Sequence, residues 1–141
     1  MNLTFQEQMI GLMRAFGLHK PDQTPCGQPV AVAEAHALMV LTSDEPLSQK
    51  ELGTLLSLEK STVSRLVSQL QKRGWVMRTR SAQDKRMIEL RLTDSGRTMS
   101  AQLAKARQAK FQQVLSAIPV EQRAFVTDAL SILVEAMRER H

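Results

Sequence analysis

The stretch LSQKELGTLLSLEKSTVSRLVSQLQKRG, residues 47–74, carries two helix signals with room for only a short break between them. In PLSQKEL, Ser48 has the character of an N-cap, Glu51 three residues later completes a capping box, and Leu47 is placed to staple onto Leu52. This predicts a helix from 48 to 56. After the break at LSLE, Val63, Leu66, Val67 and Leu70 form one apolar stripe at helical spacing, and Gly74 behind Lys72 and Arg73 is a natural C-terminal stop. Two short helices joined by a turn of about three to four residues make a helix-turn-helix.

The face opposite that stripe carries Lys60, Ser61, Thr62, Ser64 and Arg65 in its first turns. In a helix-turn-helix the N-terminal part of the second helix enters the major groove, where Arg reads guanine edges and Ser or Thr meets bases or phosphates. Serine and threonine are equally ordinary residues for the start of a helix.

The stretch RTRSAQDKRMIEL, residues 78–90, follows almost at once. WVMRTR and MIELRLT are strand-like, with Ile88, Leu90 and Leu92 alternating against Met87, Glu89 and Arg91, and SAQDKR between them is a loop. The pattern predicts a β-hairpin directly behind the recognition helix, after which Thr93 caps another helix. A hairpin in that position is the wing of a winged helix-turn-helix. Its tip can reach the phosphate backbone or a narrow minor groove, whose negative potential attracts inserted Arg. Arg78, Arg80, Lys85 and Arg86 are the candidate contacts. Asp84, two residues before Arg86, is placed to hold that guanidinium in one orientation. A turn-forming Asp, bonded to its own backbone, is the alternative reading.

Charge follows the same division. From Lys60 to Arg91 there are nine Lys/Arg against two acids, a local balance of +7, whereas the rest of the chain holds ten bases and twelve acids, within a total of +5. A concentration this one-sided suits a polyanionic partner.

Outside this region the signals are simpler. Thr4 and Glu7 fit a capping box ahead of Met9, Ile10, Met13 and Phe16, which predicts a helix from 4 to 17. LHKPDQTPCGQP packs three prolines and a glycine into twelve residues and reads as an irregular connector. A second helix begins near Val30 and turns Ala33, Ala37, Leu38 and Leu41 toward a core. Behind Thr93, Met99, Leu103 and Ala106 run along a long helix. Phe125, Ala129, Ile132, Leu133, Ala136 and Met137 line a final helix that starts near Pro119. By pattern alone these last stripes suit either an internal core or an interface between chains.

The 141 residues, 43% of them hydrophobic, suit one domain with a real core. No apolar run approaches the roughly 20 residues that cross a bilayer, and MNLTFQEQMI lacks the basic flank and cleavage site of a leader, so a cytoplasmic chain without a membrane segment is expected. Cys26 is alone, which excludes an intramolecular disulfide and a multi-cysteine zinc site. His19, Cys26, Glu34 and His36 are zinc-ligand types, but Glu34 and His36, two apart on a helix, do not share a face. His36 therefore reads as structural, and no metal or cofactor is expected. No phosphate loop, nucleophile elbow, histidine pair or carboxylate pair announces an enzyme.

Taken together, LSQKELGTLLSLEKSTVSRLVSQLQKRGWVMRTRSAQDKRMIELRLTDSG resembles the helix-turn-helix and wing of the multiple-antibiotic-resistance regulator (MarR) family of bacterial transcription factors. Asp84-Lys85-Arg86 matches that family's wing motif of Asp, any residue, Arg, and LTDSG matches the segment entering its long helix. The resemblance is detailed over residues 47–97. It implies a mostly α (α+β) fold of six helices, with the hairpin wing between the fourth and fifth. A single domain over residues 1–141 is expected, with a winged lobe at 30–93 and dimerisation helices at 1–20 and 94–141. It further implies a homodimer on the double-stranded DNA of a pseudo-palindromic operator, acting as a repressor and answering to a small aromatic or anionic effector. Some branches of the family sense oxidants through a cysteine. Cys26, in TPCGQP and close in sequence to His19 and Lys20, is the candidate sensor here, although the hydroperoxide-sensing branch has its cysteine within a helix. The rival expectation is a winged module that binds protein partners without specific DNA binding.

Overall fold

The structure is a computed structural model, and it describes residues 4–43 and 45–138. Its elements are α1 (Phe5–Phe16), α2 (Val32–Val40), β1 (Leu47–Ser48), α3 (Gln49–Leu56), α4 (Lys60–Lys72), β2 (Val76–Arg80), β3 (Ile88–Leu92), α5 (Asp94–Ser116) and α6 (Val120–Arg138). Residues 1–3 and 139–141, at the ends of the expected dimerisation segments, lie outside the described residues. Among the described residues, no helix is long and apolar enough to cross a membrane.

Local chemistry sets the helix starts. Ser48 Oγ accepts from the Glu51 amide at 3.0 Å while the Glu51 carboxylate accepts from the Ser48 amide at 3.3 Å, which completes the box that starts α3. Thr4 and Glu7 close the same box on α1 at 3.2 and 3.3 Å. At the far end of α4, Gly74 takes φ +78°, the left-handed conformation that costs glycine nothing. Its N–H donates to the Gln71 carbonyl and that of Trp75 donates to the Leu70 carbonyl, at 2.9 and 3.0 Å, so the last carbonyls of the helix are satisfied.

The second helix departs from expectation. It starts at Val32, leaving Val30 ahead of it as a core residue only 1% exposed. Ala35 is buried and Ala33 is exposed, so the phase is the one set by Ala37 and Leu38. Glu34 fixes this start, because its carboxylate accepts the Ala31 N–H at 3.0 Å.

The sheet has three antiparallel strands in the order β1-β3-β2. Val76 pairs with Leu92 and Arg80 with Ile88 in the expected hairpin, and Leu47 and Ser48 add a third strand opposite Leu90 and Glu89. Beneath the sheet, Leu38, Leu52, Val67, Leu70 and Leu90 are at most 1% exposed, and Leu47 and Ile88 pack against this core.

Residues 1–106 form one compact unit and 107–141 a second, with α5 contributing to both. In the first unit, Thr93 Oγ1 accepts from the Gly96 amide at 3.0 Å and donates to the Gly74 carbonyl, so the expected cap of α5 also ties that helix to the end of α4. The Thr93 amide donates to the Trp75 carbonyl at 3.0 Å. A Cβ on Gly96 would lie 2.0 Å from that carbonyl oxygen, so only glycine lets α5 sit there. In the second unit no residue of α6 is buried, and Phe125 and Ile132 are 74% and 73% exposed. The internal-core reading of that stripe is therefore not met among the described residues.

Candidate nucleic-acid interface

The recognition helix behaves as its sequence dictates. Val63, Leu66, Val67 and Leu70 are buried, which turns Lys60, Ser61, Ser64 and Arg65 to the surface and leaves Thr62 half-buried. Glu59, the N-cap of α4, makes no side-chain hydrogen bond to the helix. The first-turn N–H groups of α4 are thus not taken up by a capping side chain.

The wing is more tightly built than a basic hairpin needs to be. Its loop is closed by the Ser81 amide donating to the Met87 carbonyl at 3.0 Å and the Met87 amide donating to the Asp84 carbonyl at 2.9 Å. Asp84 satisfies both readings of its position. Its Oδ1 accepts the Arg86 backbone N–H at 3.1 Å, as a turn-forming Asp does, and also accepts Nε of the same residue at 3.4 Å. The Arg86 side chain is nonetheless 93% exposed, so it is oriented at its base and projects from the tip. Lys85 is exposed beside it.

Two expected contacts also bond within the lobe. Arg78 donates through Nη2 to the Ser64 carbonyl at 3.1 Å and to Ser68 Oγ at 3.3 Å, tying β2 to the recognition helix. Arg80 donates through Nη1 to the Lys85 carbonyl at 2.7 Å and braces the loop from the opposite strand. The structure thus separates the five wing residues. Lys85 and Arg86 face outward, Asp84 orients Arg86, and Arg78 and Arg80 hold the frame.

A cleft of about 640 Å³ runs between α3, the turn after it and the start of β3, and it brings Lys60 and Arg86 together with Lys50. Lys50 escaped the sequence reading because a lone lysine on a short helix carries no spacing signal. These three cations line the cleft together with Leu58, Val63 and Ile88, an arrangement whose charge suits a phosphate.

The other candidate residues stay apart from this face. Cys26 is half-buried in the connector, beside Thr24, whose hydroxyl accepts the Gln28 amide at 3.1 Å. His36, expected to be structural, is exposed on α2. Glu34 is occupied by Arg73, whose Nε and Nη2 donate to it at 2.6 and 3.1 Å. No group of three or more His, Cys, Asp or Glu among the described residues is arranged to hold a metal ion.

A recognition helix packed through one stripe, a braced wing beside it and a third strand joining the wing to the preceding helix define the winged helix-turn-helix class. Residues 31–88 match the model of the MarR family. The HTH-type transcriptional regulator SarZ of Staphylococcus epidermidis is 34% identical over 76 residues, 54% of this chain and 51% of its own length. The chain thus spans about half the length of the curated relatives it matches. The fold is similar throughout to solved structures. The transcriptional regulator PcaV of Streptomyces coelicolor, also solved with its natural ligand, superposes with a TM-score of 0.80 at 23% identity, covering 97% of this chain and 99% of that one. Staphylococcus aureus MepR, in its complex with DNA, superposes at 0.81 with 20% identity, covering 96% and 99%.

Proposed function

We propose that the chain is a cytoplasmic, sequence-specific DNA-binding transcriptional regulator that acts as a homodimer on a pseudo-palindromic operator. The observation that carries this reading is the cleft joining Lys60 of the recognition helix to Arg86 of the wing, two residues of a segment that is +7 where the rest of the chain is −2. The recognition helix supplies base contacts through Ser61, Ser64 and Arg65, and Thr62 at its half-buried edge. Lys60, Lys85 and Arg86 contact the backbone or the minor groove. Arg78, Arg80 and Asp84 act on DNA through the frame they hold.

The exposed stripe of α6 supports the dimer, because Phe125 and Ile132 in an isolated chain present apolar area to water. A dimer placed across a promoter excludes polymerase without an activation surface, which favours repression. MepR has been solved on DNA and PcaV with its natural ligand, which supports a DNA partner and a small effector for this chain. Oxidation at Cys26 is the second candidate signal.

Selection from random duplex DNA at several salt concentrations tests the reading, with Cys26 reduced and then oxidised. A two-half-site palindrome is expected, with affinity falling by about one decade or more between 50 and 200 mM salt. Enrichment of no motif sinks specific recognition and favours the protein-binding module. On the selected site, Arg86→Ala is expected to lose about 1–3 kcal/mol of binding in a fluorescence-anisotropy titration. Unchanged affinity would remove the wing from the interface.

A further inference from the structure

The ion pair between Glu34 and Arg73 is not accounted for by the DNA-facing surface. Glu34, on α2, is 4% exposed, and three donors converge on its carboxylate: the Ala31 amide at 3.0 Å, Arg73 Nε at 2.6 Å and Arg73 Nη2 at 3.1 Å. Arg73 caps the C-terminus of α4 and lies over the ring of Trp75 at 4.8 Å from its centroid. Trp75, 8% exposed, immediately precedes β2, and its backbone carbonyl is the atom against which Gly96 of α5 is seated. The corner at residues 73–75 is therefore gripped from three sides: by α2 through Glu34, by α5 through Gly96 and Thr93, and by α4 through the Leu70 carbonyl.

That corner is where the recognition helix ends and the wing begins. The direction in which β2 leaves α4 sets the distance between the groove-reading face and Arg86, and hence which spacing of groove and backbone contacts the lobe fits. A bidentate fork onto a buried carboxylate fixes orientation as well as distance, which a hydrophobic contact of similar size does not. Removing one member of such a pair leaves the other charge without its partner, so the geometry relaxes and does not simply lose a contact.

We propose that Glu34 is a positioning residue for DNA recognition, acting through Arg73 and Trp75 to fix the angle between recognition helix and wing. The inference rests on the DNA-binding reading above. It also assigns α2 a role in specificity, although α2 contributes none of the DNA-facing residues named above. Any movement of α2 along its axis would be delivered through the fork to the wing.

Trp75 is the only tryptophan, so its emission reports on this corner without interference. The test compares the full chain with Glu34→Gln, which keeps the size of the side chain, and Arg73→Lys, which keeps the charge but loses the fork. Circular dichroism and thermal melting establish that each variant is folded. Affinities are then measured for the selected operator and for an unrelated duplex. The expected result is a loss of about fivefold or more on the operator, with little change on the unrelated duplex, in both variants. Increased quenching of Trp75 by iodide in the free variants should accompany it.

Equal losses on both duplexes, or an operator affinity equal to wild type, overturn the inference while leaving the DNA-binding reading intact. An unmoved Trp75 signal in folded variants overturns it as well. A wild-type chain that prefers no duplex overturns both readings at once. If Glu34→Gln does not fold, Arg73→Lys decides by the same two affinities and the same quenching.

Discussion

Gly96→Ala is expected to destabilise the first unit by about 3 kcal/mol, against the ordinary preference of a helix for alanine. Alanine in a helix interior normally gains about 0.5–1 kcal/mol over glycine. Here the added methyl would meet the Trp75 carbonyl oxygen at 2.0 Å and its carbon at 2.9 Å. These are backbone atoms and cannot swing away as the end of a long side chain does. Accommodation requires α5 to lift from the corner, which would also stretch the Thr93 bonds to Gly74 and Trp75. Gly11 provides the control, since a methyl there meets nothing within 4 Å, so Gly11→Ala should be neutral or stabilising. Urea denaturation of both variants measures the contrast. Equal stabilities would show that α5 does not sit against Trp75 as described.

Leu70→Ala is the second large effect. Leu70 is fully buried at the base of the recognition helix, and its carbonyl receives the Trp75 amide at the turn into the wing. Truncation removes the side chain's transfer energy and leaves a cavity that close-packed neighbours fill only in part, a loss of about 2–5 kcal/mol. The backbone bond to Trp75 should survive, so the midpoint of denaturation should fall while its slope stays constant. Among molecules that remain folded, operator affinity should stay near that of wild type. A stability within about 1 kcal/mol of wild type would contradict the core placement of this residue.

The elements that sequence reasoning found share one property, which is that their signal is local. The Ser48–Glu51 box, the stripe from Val63 to Leu70 and the alternation from Ile88 to Leu92 each lie within about two turns or one strand, and each is present as expected. The elements it missed depend on what the chain meets later. β1 has two residues, too few to alternate, and its Ser48 already served as a cap. The pair Glu34 and Arg73 is separated by 39 positions, and no spacing rule joins them. Arg78 and Arg80 belong to the same basic run as Arg86, and only strand register against α4 and Lys85 distinguishes brace from probe. Ala33 and Ala35 are too small for periodicity to choose between, and Leu38 decides the phase.

The two-residue strand β1 has a consequence beyond the sheet it completes. Because Leu47 and Ser48 pair with β3 while Ser48 also caps α3, the central strand of the sheet and the first helix of the helix-turn-helix are joined through Ser48. A free-standing hairpin is only marginally stable in water. This one is stitched into the cooperative unit of its neighbours, so it opens when they open. Its root is thus as durable as the core and its loop is already closed by its own hydrogen bonds, so little of the wing would be left to order if it met a partner, and the entropy lost on association would stay small.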